Sequence, residues 1–216
     1  MNNNLTEIVF LLDRSGSMSG LEADTIGGFN SLLEKQKKEP GEAILSAVLF
    51  DHECEVIYDR VSIGKAEPMT EEQYFTRGST ALLDALGGAV HHIASAHRYA
   101  REEDRPGKTI FVITTDGMEN SSCRWTYPEV RKMVEHEKEK YGWEFLFLGA
   151  NMDAIAAAGR MGISADRAVR YEHDRAGTAL NFRVVGEAVC AMRASAPLTE
   201  DWKEEIDRDF RTRHRR

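Results

Sequence analysis

The sequence is poor in cysteine and has no long hydrophobic run. Its three cysteines, Cys54, Cys123 and Cys190, are an odd number at wide spacing, which argues against a disulfide framework and a paired-cysteine metal knuckle. No apolar run approaches the roughly 20 residues that a membrane-spanning helix needs. The first residues, MNNNLTEIVFLLD, lack the basic start, apolar middle and small-residue cleavage site of a signal peptide. We therefore expect a soluble, cytoplasmic protein with reduced thiols.

Basic residues are too few for a protein that binds polyanions. The formal net charge is −8, and a basic cluster without compensating acids occurs only at the extreme C-terminus. A negative surface opposes attraction to phosphate backbones and anionic headgroups. We expect neither a nucleic-acid partner nor a membrane partner.

Short, continuous apolar runs alternate with amphipathic stretches along the 216 residues. Continuous rather than alternating runs are typical of strands that helices cover on both faces. Six strands are predicted, at 8–12, 43–50, 54–61, 109–115, 143–150 and 168–172. A hydrophobic content of 42% is enough for one domain with a sizeable core.

Amphipathic stretches between these runs predict helices, because their apolar residues recur three and four positions apart. Five helices are predicted, around 26–33, 82–93, 126–134, 153–160 and 179–192. The third has a clear start signal: the Thr126 hydroxyl can cap it, Glu129 can reach back, and Pro128 fits the first turn.

Only Asp51, His52 and Glu53 join the second and third strands. Three residues cannot form a crossover helix, so these strands should be an antiparallel hairpin at a sheet edge. Elsewhere strands and helices alternate. The sequence therefore predicts an α/β fold, a doubly wound, mostly parallel six-stranded sheet with helices on both faces and one antiparallel edge strand. Binding sites of such sheets lie at the carboxyl ends of strands, where the strand order reverses.

Five oxygen donors are predicted at that edge. Asp13, Ser15 and Ser17 follow the first strand in LLDRSGS, and alternate residues of an extended segment point the same way. Thr80 opens the helix in RGSTALLDAL, and Asp116 ends the strand in FVITTDG. Oxygen ligands of low total charge suit a hard cation such as Mg²⁺.

These three segments resemble the metal-ion-dependent adhesion site (MIDAS) of von Willebrand factor type A (vWA) domains. The family pattern is DxSxS, then a threonine, then an aspartate; here the segments are DRSGS, Thr80 within GST, and Asp116 within TTDG. The resemblance covers about residues 5–193 and is to intracellular, bacterial-type, single-domain members. It implies a Rossmann-like sheet of strand order 3-2-1-4-5-6 in which the third strand is antiparallel.

The resemblance also implies a ligand set and a function. Ser15, Ser17 and Thr80 would bind the ion directly, and Asp13 and Asp116 directly or through water. Mg²⁺ is the expected ion, with Mn²⁺ or Ca²⁺ as alternatives. In the family a Glu or Asp of a protein partner often completes the coordination. The implied function is metal-dependent protein recognition, without catalysis.

Three other interpretations of these residues are open. The segment DRSGS is also compatible with a plain turn. Asp13 could be the nucleophile of a Mg²⁺-dependent phosphohydrolase or phosphotransferase, but the haloacid-dehalogenase pattern has a second aspartate where this chain has Ser15. That pattern also needs a lysine, and none adjoins the three motifs. A serine nucleophile needs a histidine base, and the histidines lie outside these motifs.

The loops around the predicted centre contain candidates for a recognition rim. Arg14 and Arg77 would favour an acidic partner, and Tyr74 and Trp125 would supply aromatic anchors. Ordinary loop surface is the alternative. Glu119 would lie close enough either to support a metal-bound water or to repel the partner's carboxylate.

We assign residues 1–194 to the vWA-like domain and residues 195–216 to a charged C-terminal tail. Trp202, Ile206 and Phe210 recur every four residues and predict a helix with a narrow apolar stripe. We expect this helix to dock on its own domain; fraying and pairing with another chain are the alternatives.

Overall fold

The computed structural model describes residues 1–150 and 153–214, and a six-stranded sheet forms its centre. The strands are β1 (Asn2–Asp13), β2 (Glu42–Phe50), β3 (Cys54–Ser62), β4 (Pro106–Thr115), β5 (Glu144–Gly149) and β6 (Ala168–Arg170). Their order is β3-β2-β1-β4-β5-β6, and every neighbouring pair is parallel except β2 and β3. The predicted fold class and strand order are confirmed.

Helices cover both faces of this sheet. Within the described residues they are α1 (Glu22–Lys38), α2 (Leu82–Tyr99), α3 (Tyr127–Tyr141), α4 (Ala154–Arg160), α5 (Arg175–Arg193) and α6 (Glu204–Arg213). None of these helices is long and apolar enough to cross a lipid bilayer. The helix α5 begins earlier than predicted because Asp174 caps it, accepting the N–H of Gly177 at 2.7 Å.

The start of α3 contains the predicted capping box. The Glu129 carboxylate accepts the Thr126 N–H at 2.9 Å and the Thr126 hydroxyl at 2.7 Å. The helix ends at Gly142, whose φ of 66° is the left-handed conformation that favours glycine. The capping box fixes where the loop between β4 and α3 ends.

Side chains of β1 alternate between two hydrophobic layers. Ile8, Phe10 and Leu12 face the layer that contains side chains of α1, α5 and α6, and Val9 and Leu11 face the layer under α2, α3 and α4. Because both faces are covered, the strand must be apolar at every position, which explains its continuous apolar run. Each buried side chain of this size stabilises the fold by about 1.5–3 kcal/mol.

The C-terminal segment forms a short 3-10 turn, Glu200–Lys203, followed by α6. Trp202 Nε1 donates to the Asp166 carbonyl at 2.8 Å, and Ile206 is buried in the same layer as α5. The predicted helix is therefore present and packs on the rest of the chain. The last two residues of the predicted tail, 215 and 216, lie outside the described residues. The predicted domain boundary at residue 194 stays a prediction.

The sheet has its reversal of strand order between β1 and β4. The connection from β1 leads to β2 on one side, whereas β4 continues to β5 on the other. The carboxyl ends of these two central strands are therefore the topological switch point, where doubly wound sheets bind ligands. Asp13 is the last residue of β1, and Asp116 directly follows β4.

Candidate metal centre

Asp13 is buried at the end of β1, and two hydrogen bonds fix its carboxylate. Oδ1 accepts the N–H of Ser15 at 2.7 Å, and Oδ2 accepts the hydroxyl of Thr115 at 2.5 Å. The bond from Ser15 forms a tight turn directly after β1, and the bond from Thr115 comes from the adjacent strand β4. The carboxylate is therefore held at the strand edge, where the sequence predicts it.

The two serines lie between the two aspartates. Ser15 Oγ and Ser17 Oγ are 3.0 Å apart, and Ser17 Oγ donates to Asp116 Oδ1 at 2.6 Å. Ser15 and Asp116 are buried, whereas Ser17 is exposed. The cluster thus opens to solvent on the side of Ser17.

Thr80 approaches the same point from the start of α2. A methyl group placed on Gly117 would lie 2.7 Å from Thr80 Oγ1 and 3.4 Å from Ser17 Oγ, so both hydroxyls lie beside this glycine. Asn120 ties the two segments together: its side chain accepts the Thr80 N–H at 2.8 Å, and its own N–H donates to the Thr80 carbonyl at 3.0 Å. All five predicted donors therefore come to one edge of the sheet; their role as metal ligands stays a prediction.

Burial makes both carboxylates costly to ionise. Desolvation, with a smaller contribution from the charge of Asp116, raises the pKa of Asp13 from 3.8 to about 6, although its hydrogen bonds oppose this rise. Desolvation likewise raises the pKa of Asp116, against the hydrogen bond from Ser17 and the charge of His173. A cation between the two carboxylates would remove much of this cost.

The donor set fits a divalent cation. Asp116 Oδ2 is buried and has no hydrogen-bond partner among the described residues, which is rare for a buried carboxylate oxygen. Two oxygens bound to one Mg²⁺ at about 2.1 Å and at right angles are about 3.0 Å apart. The distance between Ser15 Oγ and Ser17 Oγ equals that value. Hydroxyl and carboxylate oxygens are also the ligands that hard cations prefer.

The predicted rim arginines do not face the site. Arg14 is fully buried; its Nε donates to Asp51 Oδ2 at 2.8 Å and its Nη1 to Glu55 Oε2 at 2.6 Å. Arg77 Nε donates to the same Asp51 oxygen at 2.9 Å, and its Nη2 to Glu53 at 3.0 Å. The prediction that these arginines attract an acidic partner is therefore wrong for Arg14. Asp13 and Ser15 point to the site, so the residue between them, Arg14, points away from it.

The predicted aromatic anchors are also packed inward. Tyr74 is 1% exposed and donates its hydroxyl to the Asp13 carbonyl at 2.5 Å. The Trp125 ring packs against α2, since a methyl group placed on Gly87 of this helix would lie 2.6 Å from the ring. The Glu119 carboxylate accepts the N–H groups of Leu83 and Ser122; its influence on a metal-bound water or on a partner's carboxylate stays a prediction.

A second group of potential metal ligands, Asp51, His52 and Glu53, lies between β2 and β3. The Asp51 carboxylate accepts from Arg14 and Arg77 and lies 2.9 Å from His52 Nδ1. A cation here would have to displace two guanidinium groups. These residues form an ion-paired support for the loop that contains Arg14.

His173, in the segment between β6 and α5, is the residue of this region that the motifs do not predict. Its Nε2 lies 3.1 Å from Asp116 Oδ2. No family spacing includes this position, and the only signal in the sequence is that it follows the carboxyl end of a sixth parallel strand.

No protein-family model and no curated protein matches the chain. Solved structures do. Proximal thread matrix protein 1 from the mussel byssus, with a zinc-occupied MIDAS motif, is 15% identical over 86% of this chain and 46% of its own, with a TM-score of 0.60. The ArnB paralog VWA2 from Sulfolobus acidocaldarius is 17% identical over 87% of this chain and 45% of its own, with a TM-score of 0.53.

A von Willebrand factor type A protein from Catenulispora acidiphila is 15% identical over 86% of this chain and 42% of its own, with a TM-score of 0.53. This chain thus spans less than half of the length of each of these three proteins. The chain therefore has the fold of von Willebrand factor type A domains, as the three sequence motifs predict.

Proposed function

We propose that this chain is a divalent-metal-dependent binding module that recognises an acidic residue of a protein partner. The observation that carries the proposal is the convergence of five oxygen donors, one of which, Asp116 Oδ2, is buried without a hydrogen bond from any residue that the structure describes. The zinc-occupied MIDAS of the mussel protein adds support, because that protein has the same fold.

The residues that would hold the cation are Asp13, Ser15, Ser17, Thr80 and Asp116. Two carboxylates balance a divalent charge and three hydroxyls add none, so the bound ion would still attract an anionic ligand. Exposed Ser17 marks the side from which a partner's Glu or Asp has access. The buried bonds to Asp13 orient its carboxylate before any metal arrives.

Two exposed apolar side chains near the centre suit a protein partner. Met118, two residues after Asp116, is 69% exposed, and Phe75 is 45% exposed. The Phe75 ring lies 5.4 Å from the Arg14 guanidinium and 5.5 Å from that of Arg77, which holds the ring in place. Large apolar side chains beside a charged anchor are typical of interface hot spots.

The phosphohydrolase alternative has less support. Both oxygens of Asp13 already accept hydrogen bonds, from Ser15 and Thr115, so neither is free to attack a phosphoryl group without losing one. Among the described residues, none of the hydrogen bonds to either aspartate comes from a lysine. A nucleophilic Asp13 would show as Mg²⁺-dependent turnover of a generic phosphate ester that Asp13→Asn abolishes.

Metal titration of three variants tests the proposal. We expect Mg²⁺, Mn²⁺ or Zn²⁺ to raise the melting temperature of the wild type and to have no such effect on Asp13→Ala or Asp116→Ala. Asp104→Ala is the matched control, because this exposed carboxylate pairs with Arg101 at the surface. An equal metal response in all four proteins would refute the proposal.

Partner capture tests the second half of the proposal. Immobilised wild-type protein and Asp116→Ala are exposed to native lysate with metal and with chelator, and bound proteins are identified by mass spectrometry. We expect partners that bind only the wild type with metal, and that lose binding when one surface Glu or Asp is changed to Gln or Asn. Binding that survives every such change would contradict acidic-residue recognition.

A further inference from the structure

His173 and Asp116 approach each other without forming a hydrogen bond. Nε2 of His173 lies 3.1 Å from Oδ2 of Asp116, close enough for an ion pair. Both atoms are nevertheless buried and lack any hydrogen-bond partner among the described residues, because their relative orientation does not suit donation. Two adjacent buried polar atoms that do not satisfy each other need a third group between them.

The separation of these two atoms is the one that a shared metal ion would produce. Zinc binds nitrogen and oxygen ligands at about 2.0–2.2 Å. Two such ligands at an angle between 90° and 109° are about 2.9–3.5 Å apart. The 3.1 Å distance between His173 and Asp116 falls inside this range. A cation bound to Oδ2 of Asp116 on the side that faces His173 would therefore have the imidazole nitrogen within coordination distance.

The backbone on both sides fixes His173 in this position. On one side Tyr171, which is 1% exposed, donates its N–H to the Gly149 carbonyl at 3.1 Å and so continues the β5–β6 pairing. On the other side Asp174 caps α5 through Gly177 and donates its N–H to the Glu172 carbonyl at 3.0 Å. His173 is therefore held by a strand end and a helix start and is not a mobile surface residue.

We propose that His173 is an additional ligand of the metal centre, contributed by a fourth chain segment, and that it gives the centre a preference for Zn²⁺ over Mg²⁺. This inference rests on the metal site of the proposed function and names the ion that the site selects. Imidazole nitrogen suits zinc and other borderline cations, whereas Mg²⁺ strongly prefers oxygen. An imidazole ligand would add to the Zn²⁺ affinity of the hydroxyl and carboxylate set without a comparable gain in Mg²⁺ affinity.

Competition titrations test the inference. Affinities for Zn²⁺ and Mg²⁺ are measured on the wild type, His173→Ala and the control His92→Ala, whose exposed ring pairs with Asp59 of β3. We expect His173→Ala to lower the Zn²⁺ affinity at least about 10–100-fold, because loss of even an outer-shell partner of a metal ligand has an effect of that size. The Mg²⁺ affinity should change by less than about threefold, and the control should match the wild type.

A spectroscopic measurement separates ligation from mere positioning. With Cu²⁺ as the probe, we expect nitrogen coupling in the electron paramagnetic resonance spectrum of the wild type and its loss in His173→Ala. An equal fall in both metal affinities, or a Cu²⁺ spectrum that the variant leaves unchanged, would overturn the inference and leave the metal site intact. A wild type that binds no divalent cation would overturn the proposed function itself.

Discussion

The hydroxyl of Thr115 donates to Asp13 Oδ2 at 2.5 Å, across the two central parallel strands of the sheet. This bond connects the first and third metal motifs before any ligand binds. It also opposes the rise in the Asp13 pKa that burial causes. Thr115 itself is fully buried and belongs to neither motif pattern.

We expect Thr115→Val to weaken metal binding while the fold is kept. Valine has nearly the same shape, so packing is preserved, but one oxygen of a buried carboxylate loses its donor, which costs about 1–3 kcal/mol. Calorimetric titration should show about a tenfold loss of divalent-metal affinity, equivalent to about 1.4 kcal/mol. Thr109→Val, a buried threonine near the other end of the same strand, should bind metal normally. Equal affinities in the two variants would contradict this role.

Metal-free stability should fall as pH rises through about 6. The folded-state pKa of Asp13 is about 6, above its ordinary value of 3.8, so the folded state binds the proton more tightly than the unfolded state. The resulting stabilisation is complete below the unfolded-state pKa and is lost as pH rises through the folded-state pKa. The size of the change is on the order of 3 kcal/mol.

Urea denaturation at about pH 5 and about pH 7.5, with chelator present, measures about half of this change, because the stabilisation is complete only below the unfolded-state pKa. Asp13→Asn is the control, because its side chain does not titrate and its stability should lack this component. Metal affinity should have the opposite trend and weaken below about pH 6, since protons and the cation compete for Asp13. A wild type and an Asp13→Asn variant with the same pH profile would rule out this assignment.

We expect Gly117→Ala to block the centre sterically. The new methyl group would lie 2.7 Å from Thr80 Oγ1, closer than a real carbon–oxygen contact allows, and 3.4 Å from Ser17 Oγ. The threonine hydroxyl must move, and metal affinity should fall at least about tenfold. Gly64→Ala is a suitable control, because no atom lies within 4 Å of its added methyl group. Normal metal binding by Gly117→Ala would mean that Thr80 is not a ligand.

We expect Asp51→Ala to destabilise the fold by about 3–5 kcal/mol, because it leaves the buried Arg14 guanidinium without its buried partner. Asp59→Ala, which removes an exposed carboxylate, should change the free energy of unfolding by less than about 0.5 kcal/mol. Both values come from urea denaturation. If the two variants were equally stable, the Asp51 cluster would not support the loop that contains Arg14.

The sequence was sufficient for the sheet, the hairpin and the five oxygen donors because each leaves a local signal. Continuous apolar runs identify covered strands, three connecting residues force a hairpin, and Asp13, Ser15 and Ser17 alternate along an extended segment. The same alternation also indicates that Arg14 points away from the site. The acids Asp51 and Glu55, which lie on either side of the turn between β2 and β3, are the signal that could have identified its partners.

The position of His173 and the inward packing of Tyr74 have no comparable signal. Both depend on how far separate segments approach after folding: Tyr74 reaches the Asp13 carbonyl from a loop 61 residues away along the chain. Such tertiary contacts decide whether an aromatic side chain in a loop is exposed or buried, so the residue type alone does not predict its exposure. The apolar groups that are exposed near the centre are instead Phe75 and Met118.

The paired hydrogen bonds between Thr80 and Asn120 have a mechanical consequence. Glu119 also accepts the N–H of Leu83, in the first turn of α2, so a displacement of Thr80 towards a ligand would act on both the loop after β4 and the start of this helix. Its far end, Tyr99, is 86% exposed, so a fluorescent label there would report events at the opposite edge of the molecule.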